Sequence, residues 1–173
     1  FGKSVWGDQA FHLQKAAGDL RSILRWAKET YKEKKINIFA HSLGTFSTLL
    51  LSPRGVEKIA LTSIPNSNTE YGIKNLQERI RANGGRVDEE GITVYPRTKG
   101  GVQLIGADFW KTFRNLDVIK LLRELSEFSK IAIFKPKHDD ALGSEYFDEY
   151  KGIEGVRYVE VNGDHNFTNL EDR

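Results

Sequence analysis

The sequence predicts an α/β fold in which helices flank a mostly parallel sheet. Runs of apolar, β-prone residues recur along the chain, and segments with helical periodicity lie between them. Strands that alternate with helices are joined by right-handed crossovers and lie parallel in one sheet. A stretch at about 66–129 has a different pattern, which indicates a small insertion into the sheet domain.

The first predicted element is a helix within residues 8–34. Its apolar positions recur every three or four residues, as on one face of a helix: Leu13, Ala16, Ala17, Leu20, Ile23, Leu24, Ala27 and Tyr31. The basic and acidic residues at its end alternate, which is typical of a solvated face.

A strand, a sharp turn and a second helix follow at residues 36–51. The segment INIFAHSLG places Ser42 between an apolar run and the amphipathic TFSTLLL. This order is that of a nucleophile elbow, in which a serine sits at the apex of a strained turn. The residues two before and two after must be small, and Ala40 and Gly44 meet that demand. The alternative is an ordinary serine at a helix N-cap.

Three more strands are predicted downstream, and polar residues follow two of them. The segment VEKIALTSI at 56–64 reads as a buried strand. KIAIFKPKHDDAL predicts a strand over Ile131–Phe134, a turn centred on Pro136, and then Asp139 and Asp140. GVRYVEVNGDHNF predicts a strand, a turn at residues 162–163, and then His165.

This ordered set of residues after strand ends resembles the α/β-hydrolase superfamily, and within it the serine esterases and lipases. The resemblance implies that Ser42 is the nucleophile, His165 the general base and Asp139 the acid that orients the histidine; Asp140 is the competing acid. The chemistry supports such a trio. A serine hydroxyl needs an imidazole to take its proton, and the imidazole needs a carboxylate to fix its tautomer.

The resemblance also implies an oxyanion hole and a cap. The backbone N–H of Leu43 would be one oxyanion donor, and the second would lie upstream of Phe1. The insertion at about 66–129 matches the position of a cap over the carboxyl edge of the sheet. Its apolar side chains are expected either to line an acyl pocket or to hold the cap to the core: Tyr95, Leu104, Phe109, Trp110 and Phe113.

Length and composition are those of one domain with a core. The 173 residues are 39% hydrophobic and carry a net charge of +2. This small net charge gives no reason to expect a nucleic-acid partner, and we expect none. No run reaches the length of a membrane span. The chain has no cysteine and no histidine pair at i, i+4 spacing, so we expect no metal site. We also expect no cofactor. The lack of cysteine is compatible with a cytoplasmic location, and the oligomeric state stays open.

We interpret residues 1–173 as a single α/β-hydrolase domain that is incomplete at its N-terminus and lacks the first strands. Such a polypeptide is expected to aggregate when expressed alone, because an interior strand would have an unpaired edge.

The function expected from these features is hydrolysis of a carboxylic ester with a small or medium acyl group, through an acyl-enzyme on Ser42. Two alternatives remain. One is an acyl thioesterase or acyltransferase with the same triad, and the other is a non-catalytic, hydrolase-like binding protein.

Overall fold

The computed structural model describes residues 10–97, 100–143 and 145–168. The helices are α1 Leu13–Thr30, α2 Leu43–Leu51, α3 Thr69–Ala82, α4 Ala107–Arg114 and α5 Val118–Ser126. The strands are β1 Asn37–His41, β2 Lys58–Thr62, β3 Ile92–Pro96, β4 Val102–Gly106, β5 Lys130–His138 and β6 Val156–Asp164. A short 3₁₀ helix at Asp148–Gly152 precedes β6.

The central sheet has the order β1-β2-β5-β6, and every neighbouring pair is parallel. Alternate residues of the middle strands are buried, with Ile59, Leu61, Ile131 and Ile133 at most 3% exposed. Helices cover the sheet, as the alternation of strand and helix predicts. The predicted α/β class with flanking helices is therefore confirmed.

Two predicted turns are absent because their strands continue. β5 runs through Pro136 to His138, and β6 runs through Asn162 and Gly163 to Asp164. Pro136 pairs with Val161, and the register shifts between Pro136 and His138. Proline has no N–H for the ladder and is tolerated at such an irregularity. The predicted turn at Pro136 was wrong, yet Asp139 still follows the end of its strand.

The segment between β2 and β5 contains a helix, a hairpin and two further helices. β3 and β4 form an antiparallel pair, and α4 contacts both α3 and α1. α5 differs, because it contacts α2, β5 and β6 and so covers the central sheet. Side-chain caps begin two of these helices: Asn68 accepts from the N–H of Tyr71, and Asp117 accepts from that of Lys120.

None of the helices in the described ranges is long and apolar enough to cross a membrane.

Candidate active site

Ser42 occupies the turn between β1 and α2. Its backbone lies at φ 51° and ψ −120°, a strained region for a residue with a side chain. Two sets of hydrogen bonds hold it there. The Ser42 N–H donates to the Thr62 carbonyl at 3.0 Å, and the Ser42 carbonyl accepts from the N–H and hydroxyl of Thr45 at 2.9 and 2.6 Å. The elbow predicted from the sequence is thus present as a backbone conformation.

His165 lies directly after β6, with its ring between Ser42 and Asp139. Its Nε2 is 2.9 Å from the Ser42 Oγ, and its Nδ1 is 2.9 and 3.0 Å from the two carboxylate oxygens of Asp139. A carboxylate accepts hydrogen bonds, so Nδ1 carries the ring proton and Nε2 is free to accept from the serine hydroxyl. This tautomer allows the imidazole to act as a general base.

The carboxylate of Asp139 is held by its own loop. One Asp139 oxygen accepts from the N–H groups of Ala141 and Leu142, each at 3.0 Å, and the side chain is 1% exposed. Asp140, the competing candidate, is exposed on the same loop. The structure therefore brings Asp139 to the imidazole and leaves Asp140 facing solvent.

Two residues outside the predicted trio lie close to His165. The hydroxyl of buried Ser63 donates to the His165 backbone carbonyl at 2.9 Å. The ring of His41 is 5.3 Å from that of His165, and its Nδ1 is 3.0 Å from the Thr62 hydroxyl. Burial, followed by the charge of His165, lowers the pKa of His41 below its ordinary value. The imidazole of His41 therefore favours its neutral form beside the ring of His165.

Leu43 is the first residue of α2 and lines the same cavity as Ser42. The N–H of a first helical residue has no acceptor within its helix, so it is free to donate to a developing oxyanion. The second donor that we expected upstream of Phe1 lies outside the described residues.

A cavity of about 90 Å³ opens beside Ser42 and His165, between the elbow and the inserted segment. Three of the five predicted pocket residues, Tyr95, Phe109 and Phe113, line it. Each of them is at most 4% exposed. Phe46 of α2 also lines it and contacts Phe113 edge to face, with ring centroids 4.8 Å apart.

Leu104 and Trp110 do not line this cavity. In β4 the neighbouring residue Ile105 faces it, and successive strand residues point to opposite sides, so the expected face of the strand was off by one residue. Trp110 is 1% exposed, and its indole N–H donates to the Thr93 hydroxyl at 3.0 Å. Trp110 thus packs between α4 and the hairpin.

The described residues contain no group of three or more histidine, cysteine or acidic side chains placed to hold a metal ion.

Comparison with solved structures identifies the fold. The esterase domain of a Rhodothermus marinus protein matches with a TM-score of 0.67 at 19% identity, over 96% of this chain and 65% of that one. Est1E from Butyrivibrio proteoclasticus matches at 0.67 and 17% identity, over 92% and 64%. An E-2-(acetamidomethylene)succinate hydrolase matches at 0.59 and 15%, over 92% and 69%.

The chain therefore has the α/β-hydrolase fold that its resemblance implied. It spans less than two thirds of the length of the first two of these structures. No family model and no curated protein matches the sequence.

Proposed function

We propose that this chain carries the active site of a serine hydrolase that cleaves carboxylic esters of small or medium acyl groups. The observation that carries the proposal is the continuous hydrogen-bonded series from the Ser42 hydroxyl through His165 to the buried Asp139. A serine in this setting has a base to accept its proton and an acid to orient that base.

The reaction proceeds in two halves. The Ser42 Oγ attacks the ester carbonyl while His165 Nε2 takes the hydroxyl proton, and the negative charge forms on the carbonyl oxygen near the Leu43 N–H. The intermediate collapses as the alkoxide leaves with the proton from His165. Water then gives its proton to His165 and attacks the acyl-serine, which releases the carboxylic acid and regenerates Ser42.

The inserted segment serves as a cap on this site. We assign α3, the β3-β4 hairpin and α4 to the cap. α5 we assign to the helices of the sheet, because it contacts α2, β5 and β6. The cap is therefore shorter than the predicted 66–129. The aromatic residues of α4 and the hairpin exclude water from the acyl group.

The test combines covalent labelling with a substrate series. A fluorophosphonate probe should label Ser42, as located by peptide mass spectrometry, and p-nitrophenyl acetate, butyrate and octanoate should be hydrolysed with an initial burst. Faster turnover of acyl-thioesters than of the matched oxygen esters would favour the thioesterase or acyltransferase alternative. Absence of both labelling and turnover would favour the alternative of a non-catalytic, hydrolase-like binding protein.

A further inference from the structure

Arg79 lines the cavity that contains Ser42 and His165. It lies on α3, where Gly72, Leu76 and Arg79 follow at spacings of four and three and all line the cavity. Residues at these spacings share one helix face. Arg79 is half-buried, and its guanidinium has no hydrogen-bond or ion-pair partner in the described part of the chain.

Three other arginines of the inserted segment are paired, and Arg81 is exposed to solvent. Arg114 bonds Glu70 and Glu89, and Arg86 bonds Asp88. Arg97 donates to the Oε1 of Gln103 at 3.2 Å. The contrast matters because a guanidinium that is partly removed from water is destabilising unless an anion or hydrogen-bond acceptor meets it.

The cavity wall offers Arg79 no anion. Among the described residues that line it, no side chain is a carboxylate, and Asp139 lies behind His165. Gln103, on the same wall, has its oxygen occupied by Arg97, so its amide nitrogen is available as a further donor. A wall with a guanidinium and an amide donor and no acidic group suits an anion.

The size of the cavity limits the length of the acyl chain between the ester carbonyl at Ser42 and this anion. Its volume of about 90 Å³ is well below the ~300–1,000 Å³ of pockets that hold drug-sized ligands. A short acyl group fits this space. Arginine presents a planar fork of donors that matches a carboxylate with two parallel hydrogen bonds.

We propose that Arg79 binds a carboxylate at the far end of the acyl group, so that the preferred substrates are monoesters of short dicarboxylic acids. This inference rests on the proposed ester hydrolysis at Ser42. Hydrolysis consumes one water and yields the alcohol and the free dicarboxylate.

The test compares two esters of equal chain length, mono-p-nitrophenyl glutarate and p-nitrophenyl pentanoate. The wild-type protein should have the higher kcat/KM for the charged ester. Arg79→Gln should lower the ratio of the two kcat/KM values by about tenfold or more, chiefly through the KM of the charged ester. Arg79→Lys should restore part of the ratio. Arg81→Gln, at an exposed position of the same helix, is the matched control and should leave the ratio unchanged.

The outcomes separate this inference from the proposed function. If both esters are cleaved in a Ser42-dependent manner and Arg79→Gln does not change the ratio, Arg79 does not bind the acyl carboxylate while the hydrolase proposal stands. An equal fall in Arg81→Gln overturns the inference too, because it indicates a long-range charge effect. If neither ester is cleaved and the fluorophosphonate leaves Ser42 unlabelled, both proposals fail.

A measurement on the wild-type protein does not depend on the folding of any variant. Monomethyl glutarate should compete with p-nitrophenyl pentanoate hydrolysis, and methyl pentanoate should compete at least about tenfold less well. Equal competition by the two methyl esters would overturn the inference.

Discussion

The strained backbone of Ser42 has a cost that its neighbours offset. A non-glycine residue at φ 51° costs on the order of 1–3 kcal/mol. The bonds to Thr62 and Thr45 over-determine the conformation, since they fix both the N–H and the carbonyl of Ser42. In this conformation the Ser42 hydroxyl lies 2.9 Å from the Nε2 of His165.

We predict that Ser42→Ala lowers ester hydrolysis by at least about a thousandfold, because serine, histidine and acid act as a unit. The thermal unfolding midpoint should change little, since the bonds that hold the turn come from the backbone of Ser42. Initial rates on p-nitrophenyl butyrate and circular dichroism melts measure the two effects. Ser22→Ala, at an exposed position of α1, is the control. A rate near wild type in Ser42→Ala would remove Ser42 from the reaction.

The two adjacent carboxylates provide a sharper comparison. Asp139→Asn should lower kcat on the order of ten-thousandfold, because an amide in place of the carboxylate favours the wrong histidine tautomer. Asp140→Asn should stay close to wild type, since Asp140 is exposed. Steady-state kinetics of the two variants under identical conditions show which of the two carboxylates orients His165. Loss of activity in Asp140→Asn alone would contradict the geometry described for Asp139.

His41 gives the fold a dependence on pH. Its pKa is lowered first by burial and then by the charge of His165; Asn166 and Asp139 act in the opposite direction. A lowered histidine pKa means that the unfolded chain binds more protons than the folded protein as the pH falls below about 6.5. The free energy of unfolding should therefore fall as the pH drops from 6.5 through the folded-state pKa of His41.

Urea unfolding between pH 5 and 8 measures this effect. The wild-type protein should lose more stability over the acidic part of the range than His41→Gln, and the two curves should run parallel above pH 7. Parallel curves over the whole range would show that His41 does not titrate differently in the folded and unfolded states.

At the level of the elements, the sequence predicted most of what depends on local pattern. The strands β1 and β2 and the helices α1 and α2 follow from apolar runs and helical periodicity. The ends of β5 and β6 could not be predicted from local pattern. Pro136 and Asn162-Gly163 are local turn signals, but pairing between the two strands satisfies the backbone beyond them. Non-local hydrogen bonds therefore outweighed local preference.

The glycine of the elbow is less constrained than the sequence suggested. A Cβ added at Gly44 would contact only the Ala40 Cβ, at 3.9 Å, which is an ordinary van der Waals distance. Gly85 is the opposite case, because an added Cβ would meet the Val94 carbonyl oxygen in a clash and lie 2.9 Å from that of Ile80. The site thus requires a small residue at position 44 but has room for the methyl group of alanine.

We predict that Gly44→Ala keeps activity and raises stability by roughly 0.5–1 kcal/mol, because alanine in a helix loses less backbone entropy than glycine. Gly85→Ala should lower stability by at least about 1 kcal/mol, since the two carbonyl groups must move. Urea unfolding of both variants gives the two signs. A destabilised Gly44→Ala would show that the elbow needs the conformational freedom of glycine itself.

On the scale of the whole molecule, the parallel sheet brings the site together. Ser42 and His165 are 123 residues apart in the sequence, and both follow strands whose carboxyl ends lie at one edge of the sheet. This rule made the three proposed catalytic residues predictable from strand order. The cavity wall was not predictable in the same way. Arg79, Ile105 and Phe46 reach it through the packing of the inserted segment on α2, for which a single sequence carries no local signal.

β1 lies at an edge of the central sheet, where it pairs with β2 on one side only among the described residues. Phe39, in the middle of β1, is 73% exposed. An exposed strand edge with an apolar side chain recruits other chains, because its N–H and carbonyl groups are free to extend the ladder. Charged residues are the usual protection of such an edge, and β1 has none.

We predict that the 173-residue polypeptide self-associates as its concentration rises, and that Phe39→Lys reduces this association, because a lysine on the strand opposes the addition of another. Light scattering coupled to size-exclusion chromatography, over a hundredfold range of concentration, measures the effect. The matched control is Trp26→Lys, which removes an apolar side chain that is 57% exposed from α1, where the backbone is already hydrogen-bonded. If the two variants reduced association equally, exposed apolar area alone would account for it. If the wild-type polypeptide stayed monodisperse throughout, the edge of β1 would not recruit other chains.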